Sequence, residues 1–189
     1  RHALVIVPID GSSLAHTDRN MLHGVGSIGA RARNGLGLKT MIALPLTYDG
    51  VPLGVGAHAF WARAPQPHPQ PHGRRALPDK ESHWWTTLQA QFEASLRDQQ
   101  THTTPWYQMD READASHVLL RGVAPGTYAT VRAHQDRLLT ARSQRREHLR
   151  LHSALEGAPV RAAIYVRVPS SRHRRERLAR LALRIVHVG

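Results

Sequence analysis

The chain has 189 residues, 41% of them apolar, which is enough to bury one substantial hydrophobic core with room for part of a second. It contains no cysteine, which excludes a disulfide framework and a cysteine zinc site. No apolar run approaches the roughly 18 residues that a membrane span needs, and no signal peptide is visible. Residue 1 is Arg rather than Met, so we expect a fragment or an interior piece of a longer chain. We expect the protein in the cytoplasm.

Charge is distributed unevenly along the chain. The 26 basic and 14 acidic side chains give a net charge of +12. Residues 1–110 hold 10 basic and 8 acidic residues, whereas residues 111–189 hold 16 and 6, so nearly all of the excess lies in the second part. This asymmetry predicts a polyanionic partner. Only Lys39 and Lys80 are lysines, as expected of a GC-rich genome, but that bias does not explain the excess over acids.

The first predicted element is a strand over residues 4–9, an apolar run rich in β-branched side chains. Pro8 counts mildly against a central position in a sheet, because proline has no backbone N–H to donate to a neighbouring strand. Asp10 follows this run directly and precedes Gly-Ser-Ser, so it either lies at a strand end or opens a turn. We expect a loop over residues 11–34.

A hairpin is predicted next. Strands over residues 36–46 and 52–61 flank Asp49 and Gly50, a dipeptide that favours a tight turn. Five prolines then fall within residues 64–78, which predicts an exposed, extended loop whose histidines are solvated.

A helix over residues 82–98 is predicted because large apolar side chains recur at helical spacing. We expect most of these side chains in the core: Trp84, Trp85, Leu88, Phe92 and Leu96. Ser82 is placed to cap the N-terminus of this helix. A strand over residues 104–109 follows and leads directly into Asp110.

Asp110 opens the acidic segment Asp-Arg-Glu-Ala-Asp. An acidic residue at the C-terminal end of a strand lies at the edge of a sheet, where open α/β sheets bind ligands. The alternative is that Asp110 caps a short helix over residues 112–121, whose first turn carries two more acids. A further strand is expected over residues 127–133.

The remainder of the chain is strongly basic. We expect a helix over residues 142–150 that carries four arginines, and a short amphipathic helix over residues 149–155. Residues 162–168 and 178–188 are predicted to form the two strands of a hairpin. The segment that joins them, residues 170–177, holds four arginines and one glutamate and gives the hairpin a charged tip.

The Asp-Arg-Glu-Ala-Asp segment at Asp110 resembles the DREAD motif of DDE transposases of the insertion-sequence-four type. Further segments resemble motifs of that family, in its order and over nearly the whole chain: residues 10–14 (Asp-Gly-Ser-Ser-Leu), 26–29 (Gly-Ser-Ile-Gly), 52–54 (Pro-Leu-Gly), 60–63 (Phe-Trp-Ala-Arg), 79–84 (Asp-Lys-Glu-Ser-His-Trp) and 131–133 (Val-Arg-Ala).

This resemblance implies a ribonuclease-H-like fold, a mixed α/β sheet with helices, in which the strands that precede Asp10 and Asp110 lie side by side. We expect this catalytic core over residues 1–133. A basic segment and the start of a β-rich insertion are expected over residues 134–189. Sequence spacing alone does not establish that the two strands are neighbours.

The resemblance also implies the chemistry of DNA cleavage and strand transfer. Asp10 and Asp110 would be the catalytic residues and hold two Mg²⁺ or Mn²⁺ ions, which activate water or a DNA 3′-hydroxyl. The partner would be transposon-end DNA at the bacterial nucleoid, with no membrane, and the complete enzyme would be a homodimer. Arg132 would contact DNA. Further DNA-binding candidates lie at the hairpin tip: Arg172, Arg174 and Arg175.

The third carboxylate of the family is missing from this chain. The family carries it as the Glu of a Tyr-x-x-Arg-x-x-x-Glu-x-x-x-x-x-x-Lys helix, and none of the four tyrosines is followed three residues later by Arg. Glu112 and Asp114 come from the same turn as Asp110 and are poor substitutes. We therefore expect a transposase catalytic domain that is inactive alone.

Two other interpretations remain open: a non-catalytic DNA-binding remnant with idle aspartates, and a decayed copy with no function. A histidine-metal enzyme ranks below both. The chain has 14 histidines, but they show no metal-binding spacing together with a carboxylate partner.

Overall fold

The computed structural model describes residues 4–16, 24–29, 35–64, 68–139 and 150–187. The chain divides into two compact units, unit 1 of residues 1–134 and unit 2 of residues 135–189. The boundary predicted after residue 133 lies beside this division. The predicted helix over residues 142–150 lies, apart from Arg150, outside the described residues.

Unit 1 is a mixed α/β fold built on one sheet. Its described strands are β1 Leu4–Ala15, β2 Gly26–Ser27, β3 Leu36–Ala43, β4 Ala57–Trp61, β5 Thr104–Met109 and β6 Tyr128–Val131. The order across the sheet is β2-β3-β1-β5-β6, and β4 also pairs with β3. β1, β5 and β6 run parallel, whereas β3 runs antiparallel to β1, β2 and β4. The expected mixed α/β class is confirmed.

The helices within the described residues are α1 His83–Asp98, α2 Ser116–Gly122 and, in unit 2, α3 Leu151–Gly157. Short 3-10 turns occur at His72–Arg74, Leu77–Asp79 and Arg111–Ala113. None of the described helices is long and apolar enough to cross a membrane.

β1 is longer than the sequence predicts. The strand expected to end at Ile9 continues to Ala15, so the loop expected from residue 11 is wrong over that stretch. The reason is that pairing with β5 stops at Ile9 while pairing with β3 continues from Asp10 to Ala15. β1 lies in the middle of the sheet although Pro8 lacks an N–H.

The turn predicted at Asp49 and Gly50 is confirmed. Gly50 has a φ of 88° and donates its N–H to Thr47 O (3.0 Å). β3 and β4 are both shorter than predicted, and β4 begins only at Ala57. The segment expected to be extended contains two 3-10 turns within residues 68–79, so that part of the expectation is wrong.

The core of unit 1 lies between α1 and one face of the sheet. Alternate residues of β1 are buried, and they join the buried stripe of α1 in one cluster: Val5, Val7 and Ile9 with Trp85, Leu88 and Phe92. The helix approaches the sheet closely, because a Cβ built on Gly56 would lie 2.6 Å from the Phe92 ring. The helix predicted over residues 82–98 is confirmed. Ser82 precedes it but makes no capping hydrogen bond, so the predicted cap is wrong.

A polar network joins α1, β5 and α2 beside this core. The Tyr107 hydroxyl lies 3.2 Å from both Gln89 O and Glu93 Oε1. The same Glu93 carboxylate accepts a hydrogen bond from Arg121 at 2.5 Å. Burial raises the pKa of Tyr107 and the neighbouring Glu93 raises it further, so the hydroxyl stays protonated and remains a donor.

Unit 2 contains α3 and a hairpin of β7 Val160–Val168 and β8 Arg177–Arg184. The predicted hairpin is confirmed. Arg167 and Glu176 form an exposed ion pair of 2.6 Å near its tip. Arg184 donates hydrogen bonds to Glu156 O (2.8 Å) and to Ala158 O, which joins the end of β8 to the end of α3.

Candidate functional site

The candidate site lies where the parallel pairing of β1 and β5 ends. The last paired residues of the two strands are Ile9 and Met109, and the next residue along the chain is in each case an aspartate. Asp10 and Asp110 therefore occupy equivalent positions on neighbouring strands, 100 residues apart in sequence. The expectation that these two strands lie side by side is confirmed.

Asp10 does not end its strand, which corrects the sequence-based expectation. It lies within β1 and pairs with Ile42 of β3. Its side chain is exposed, and its Oδ1 accepts a hydrogen bond from the N–H of Gly11 at 2.8 Å. The turn interpretation of Asp10 is wrong as well, because the extended pairing with β3 continues through Gly11.

Asp110 lies at the strand end that the sequence predicts, and its side chain also caps a turn. It directly follows β5, and it is the N-cap of the 3-10 turn Arg111–Ala113, where its Oδ1 accepts a hydrogen bond from Glu112 N at 2.8 Å. α2 begins only at Ser116, so the capped element is this turn and not the predicted helix. The cap holds the Asp110 side chain in place at the end of the sheet.

Arg132 lies at the same end of the sheet. It is the first residue after β6, its side chain is exposed, and its backbone N–H donates to Met109 O at 3.0 Å. Asp10 and Asp110 thus follow the last residues paired between β1 and β5, and Arg132 follows the last residue paired between β5 and β6. The other DNA-binding candidates, Arg172, Arg174 and Arg175, are exposed in the tip of the unit 2 hairpin.

Two carboxylates on neighbouring strands suit a hard divalent cation, because Mg²⁺ is commonly held by one or two carboxylates with water and phosphate oxygens. Each aspartate uses Oδ1 for a backbone hydrogen bond. No cluster of three or more histidine or acidic side chains able to hold a metal occurs in the part of the chain that the structure describes. Asp114 is engaged elsewhere, because its Oδ2 accepts from His134 N at 2.7 Å. Within the described residues no third carboxylate joins the two aspartates, so a two-ion clamp would be incomplete.

A second polar cluster centres on Glu81, just before α1. Glu81 Oε1 accepts hydrogen bonds from Trp61 Nε1 (2.9 Å) and Arg63 Nε (2.6 Å), and Oε2 accepts from the Arg63 Nη2 (2.5 Å). The cluster ties the end of β4 to the start of α1. The sequence indicates these residues only as parts of two separate motif segments, residues 60–63 and 79–84. Partners that lie 18 and 20 residues apart leave no signal in local spacing.

Electrostatics favours the ionised form of this pair. The hydrogen bond to Glu81 raises the pKa of Arg63, and Glu112 adds a smaller contribution in the same direction. Burial alone would raise the pKa of Glu81, but the hydrogen bonds from Arg63 and Trp61 outweigh it, and the pKa lies below its ordinary value.

Neither the comparison with protein-family models nor the search of curated proteins found a match for this chain. The resemblance to transposases therefore stays an expectation from the motif residues of the sequence.

We predict that replacing Glu81 with Gln makes the stability of unit 1 less dependent on pH. Because folding lowers the Glu81 pKa, its contribution is present above the unfolded pKa of about 4.3 and is lost as pH falls through the folded pKa. With 41% of the side chain exposed, solvent screening limits the effect to about 1 kcal/mol or less. Urea unfolding at pH values from about 6 to about 3 measures it, followed by tryptophan fluorescence, since all four tryptophans lie in unit 1.

The matched control is Asp98→Asn, at the exposed end of α1. The free energy of unfolding of the wild type should fall more steeply with acid than that of Glu81→Gln, while Asp98→Asn follows the wild type. Parallel curves for the wild type and Glu81→Gln would contradict the assigned role of the carboxylate.

Proposed function

We propose that unit 1 is a ribonuclease-H-like catalytic core of the DDE transposase type, which carries two of the three carboxylates for DNA cleavage and strand transfer. The partner is DNA at the bacterial nucleoid, and the complete enzyme acts as a homodimer. The chain taken alone binds DNA and a divalent cation without cutting or joining strands.

The observation that carries this proposal is that motif segments far apart in sequence meet at one end of the sheet. Asp10 and Asp110 follow the paired residues of β1 and β5. The Glu of the segment over residues 79–84 binds both the Trp and the Arg of the segment over residues 60–63. The segment over residues 26–29 packs against the same Arg, because a Cβ on Gly26 would collide with the Arg63 backbone. A chance likeness of short segments gives no reason for them to meet.

The sheet supports the proposal independently of the motifs. The family resemblance requires the two Asp-bearing strands to be neighbours, and β1 and β5 pair in parallel over six residues. The strand order and the mixture of parallel and antiparallel pairs agree with a mixed sheet of this kind. A ligand bound at the ends of these strands also follows the general rule for open α/β sheets.

Each of the described site residues would have one role in this chemistry. A bound Mg²⁺ or Mn²⁺ would lower the pKa of an attacking water or hydroxyl and neutralise charge on the phosphate. Asp10 and Asp110 would hold it from two strands, with the Asp110 carboxylate positioned by its hydrogen bond from Glu112 N. Arg132 would hold a neighbouring phosphate oxygen, because its side chain is exposed at the same end.

The missing third carboxylate explains why we assign no complete reaction to this chain. Two carboxylates hold one ion and part of a second, and Mg²⁺ tolerates incomplete octahedral geometry badly. A loss of a few kcal/mol of transition-state stabilisation already slows a reaction on the order of a hundredfold.

A non-catalytic DNA-binding protein is the second candidate, and the geometry of Asp110 favours it. The N-cap role accounts for Asp110 without any metal. The basic excess after residue 110 would still bind DNA through phosphates. The two candidates differ in whether the aspartates bind a cation.

We predict that Asp10→Asn and Asp110→Asn each weaken Mn²⁺ binding about tenfold or more, because each removes one of two charged ligands. Asn retains a side-chain oxygen that can accept the cap hydrogen bond, so the fold around Asp110 is preserved while the charge is lost. Electron paramagnetic resonance of free Mn²⁺, titrated with protein, measures the affinity. Asp98→Asn serves as the control and should bind like the wild type.

The result decides between the two candidates. Equal Mn²⁺ affinity in the wild type and both aspartate variants would leave only the capping role for Asp110 and favour the non-catalytic protein.

We predict that Arg132→Gln lowers the salt dependence of DNA binding by about one phosphate contact. For duplex DNA the log–log slope of affinity against salt should become shallower by about 0.9. Arg97→Gln is the control, because Arg97 is exposed in the last turn of α1 near the start of β5, away from the aspartates. Fluorescence anisotropy at several salt concentrations measures both slopes. A slope for Arg132→Gln that equals that of the control would remove Arg132 from the DNA contact surface.

A further inference from the structure

A cavity of about 1030 Å³ opens in unit 1 between the end of β4 and the start of α1. The Glu81 cluster forms one of its walls, and its lining includes Ser27, Trp61, Arg75, Lys80, His83 and Trp84. A volume of this size suits a drug-sized ligand or one to two nucleotides. None of the roles assigned above uses this space.

Three aromatic rings in the wall contact one another in sequence and are called the aromatic column below. The Trp61 and Trp84 rings are stacked, with centroids 5.2 Å apart and planes inclined by 22°. The His83 ring contacts Trp84 in a tilted arrangement, with centroids 4.3 Å apart and planes inclined by 37°. All three rings line the cavity, and two are held by hydrogen bonds: Trp61 donates to Glu81, and His83 Nδ1 lies 2.6 Å from Lys80 O. A fixed aromatic column is a surface on which a planar base can stack.

The charged groups of the cavity leave it cationic. Both acids in the lining have cationic or ionisable neighbours, since Glu81 is paired with Arg63 and Asp79 Oδ2 lies 3.8 Å from His68 Nε2. Among the described residues, Arg75 donates its Nε to a backbone oxygen, Gln70 O at 3.0 Å, and has no acidic partner. Within the described part of the chain, Lys80 has no acidic partner. An anionic ligand would therefore meet basic groups here.

The cavity lies beside the carboxylate end of the sheet. Trp61 in its wall pairs with Lys39 of β3, and Lys39 pairs with Ser13 of β1, three residues after Asp10. On the same side, Lys39 of β3 binds Ser13 of β1 at 3.0 Å. A strand whose phosphate is held at Asp10 and Asp110 would have its next nucleotides within reach of the cavity.

We propose that this cavity binds an unpaired nucleotide of a DNA strand, with the base against the Trp61–Trp84–His83 column and the phosphate toward Lys80 and Arg75. This inference rests on the proposed function, which places the DNA strand at Asp10 and Asp110. A base in a duplex is stacked on its neighbours and cannot enter such a cavity, so the ligand is a strand end or a flipped base.

The test compares two labelled DNAs by fluorescence anisotropy in EDTA, where no metal chemistry contributes. One is a blunt duplex of about 20 base pairs, and the other carries an additional unpaired tail of about four thymidines, enough for a single stacking site. We expect the wild type to bind the tailed duplex about tenfold more tightly, since stacking on aromatic side chains contributes that much or more per base. Tryptophan fluorescence should be quenched by the tailed duplex more than by the blunt one.

Lys80→Ala is the test variant and Arg74→Ala its matched control. Lys80 lines the cavity, whereas Arg74 lies in the neighbouring 3-10 turn outside the lining. Lys80→Ala keeps the backbone oxygen that contacts His83. It should weaken binding of the tailed duplex several-fold, because one phosphate contact to the tail is lost, while its affinity for the blunt duplex, which does not enter the cavity, stays unchanged. Arg74→Ala should keep the preference.

The outcomes separate this inference from the proposed function. Equal affinity of the wild type for tailed and blunt duplexes, or an equal loss for both in Lys80→Ala, overturns the nucleotide site and leaves the proposed DNA-binding core intact. Failure of the wild type to bind either DNA overturns the proposed function, and this inference with it.

Discussion

The parallel pairing of β1 with β5 is the constraint on which the candidate site depends. Only a parallel neighbour brings the residue after Ile9 beside the residue after Met109, and these residues are Asp10 and Asp110. The register is fixed because alternate residues of both strands are buried beneath α1, and a slip by one position would turn the whole apolar set outward. β6 extends the same arrangement, since Met109 O accepts the N–H of Arg132. One apolar core thus brings two carboxylates and one guanidinium to a single end of the sheet.

A polar contact, rather than apolar packing, organises the neighbouring region. Glu81 accepts three hydrogen bonds from Trp61 and Arg63, which joins the end of β4 to the segment just before α1. A half-buried carboxylate is stable here because an indole and a guanidinium replace the water that it loses. The same contact holds Trp61 against Trp84 in the wall of the cavity. Apolar packing thus positions the aspartates, whereas polar contacts position the Glu81 cluster.

Local sequence signals predicted the elements whose pattern is complete within one segment. The strand-like run before Asp110 predicted the bounds of β5. Apolar residues at helical spacing predicted those of α1. The predicted end of β1 was wrong because residues 11–15 show no alternation of apolar and polar side chains. They form a strand because they pair with β3. The Glu81 contacts and the failed Ser82 cap likewise depend on tertiary geometry that no local pattern encodes. The adjacency of Asp10 and Asp110 followed from the family resemblance alone, because spacing along the chain does not determine strand order.

The most direct test of the account is a short-range cross-link between the positions of Asp10 and Asp110. The chain has no cysteine, so an Asp10→Cys/Asp110→Cys variant contains the only two thiols, both at exposed positions. Neighbouring strand positions lie in the Cα separation of roughly 4.4–6.8 Å at which two cysteines can be bridged. We expect a short thiol-bridging reagent to cross-link this variant within one chain, as measured by intact mass and peptide mapping, and not to cross-link Asp10→Cys/Asp98→Cys. Two thiols that both react with a monofunctional maleimide but never bridge would contradict the paired carboxylates.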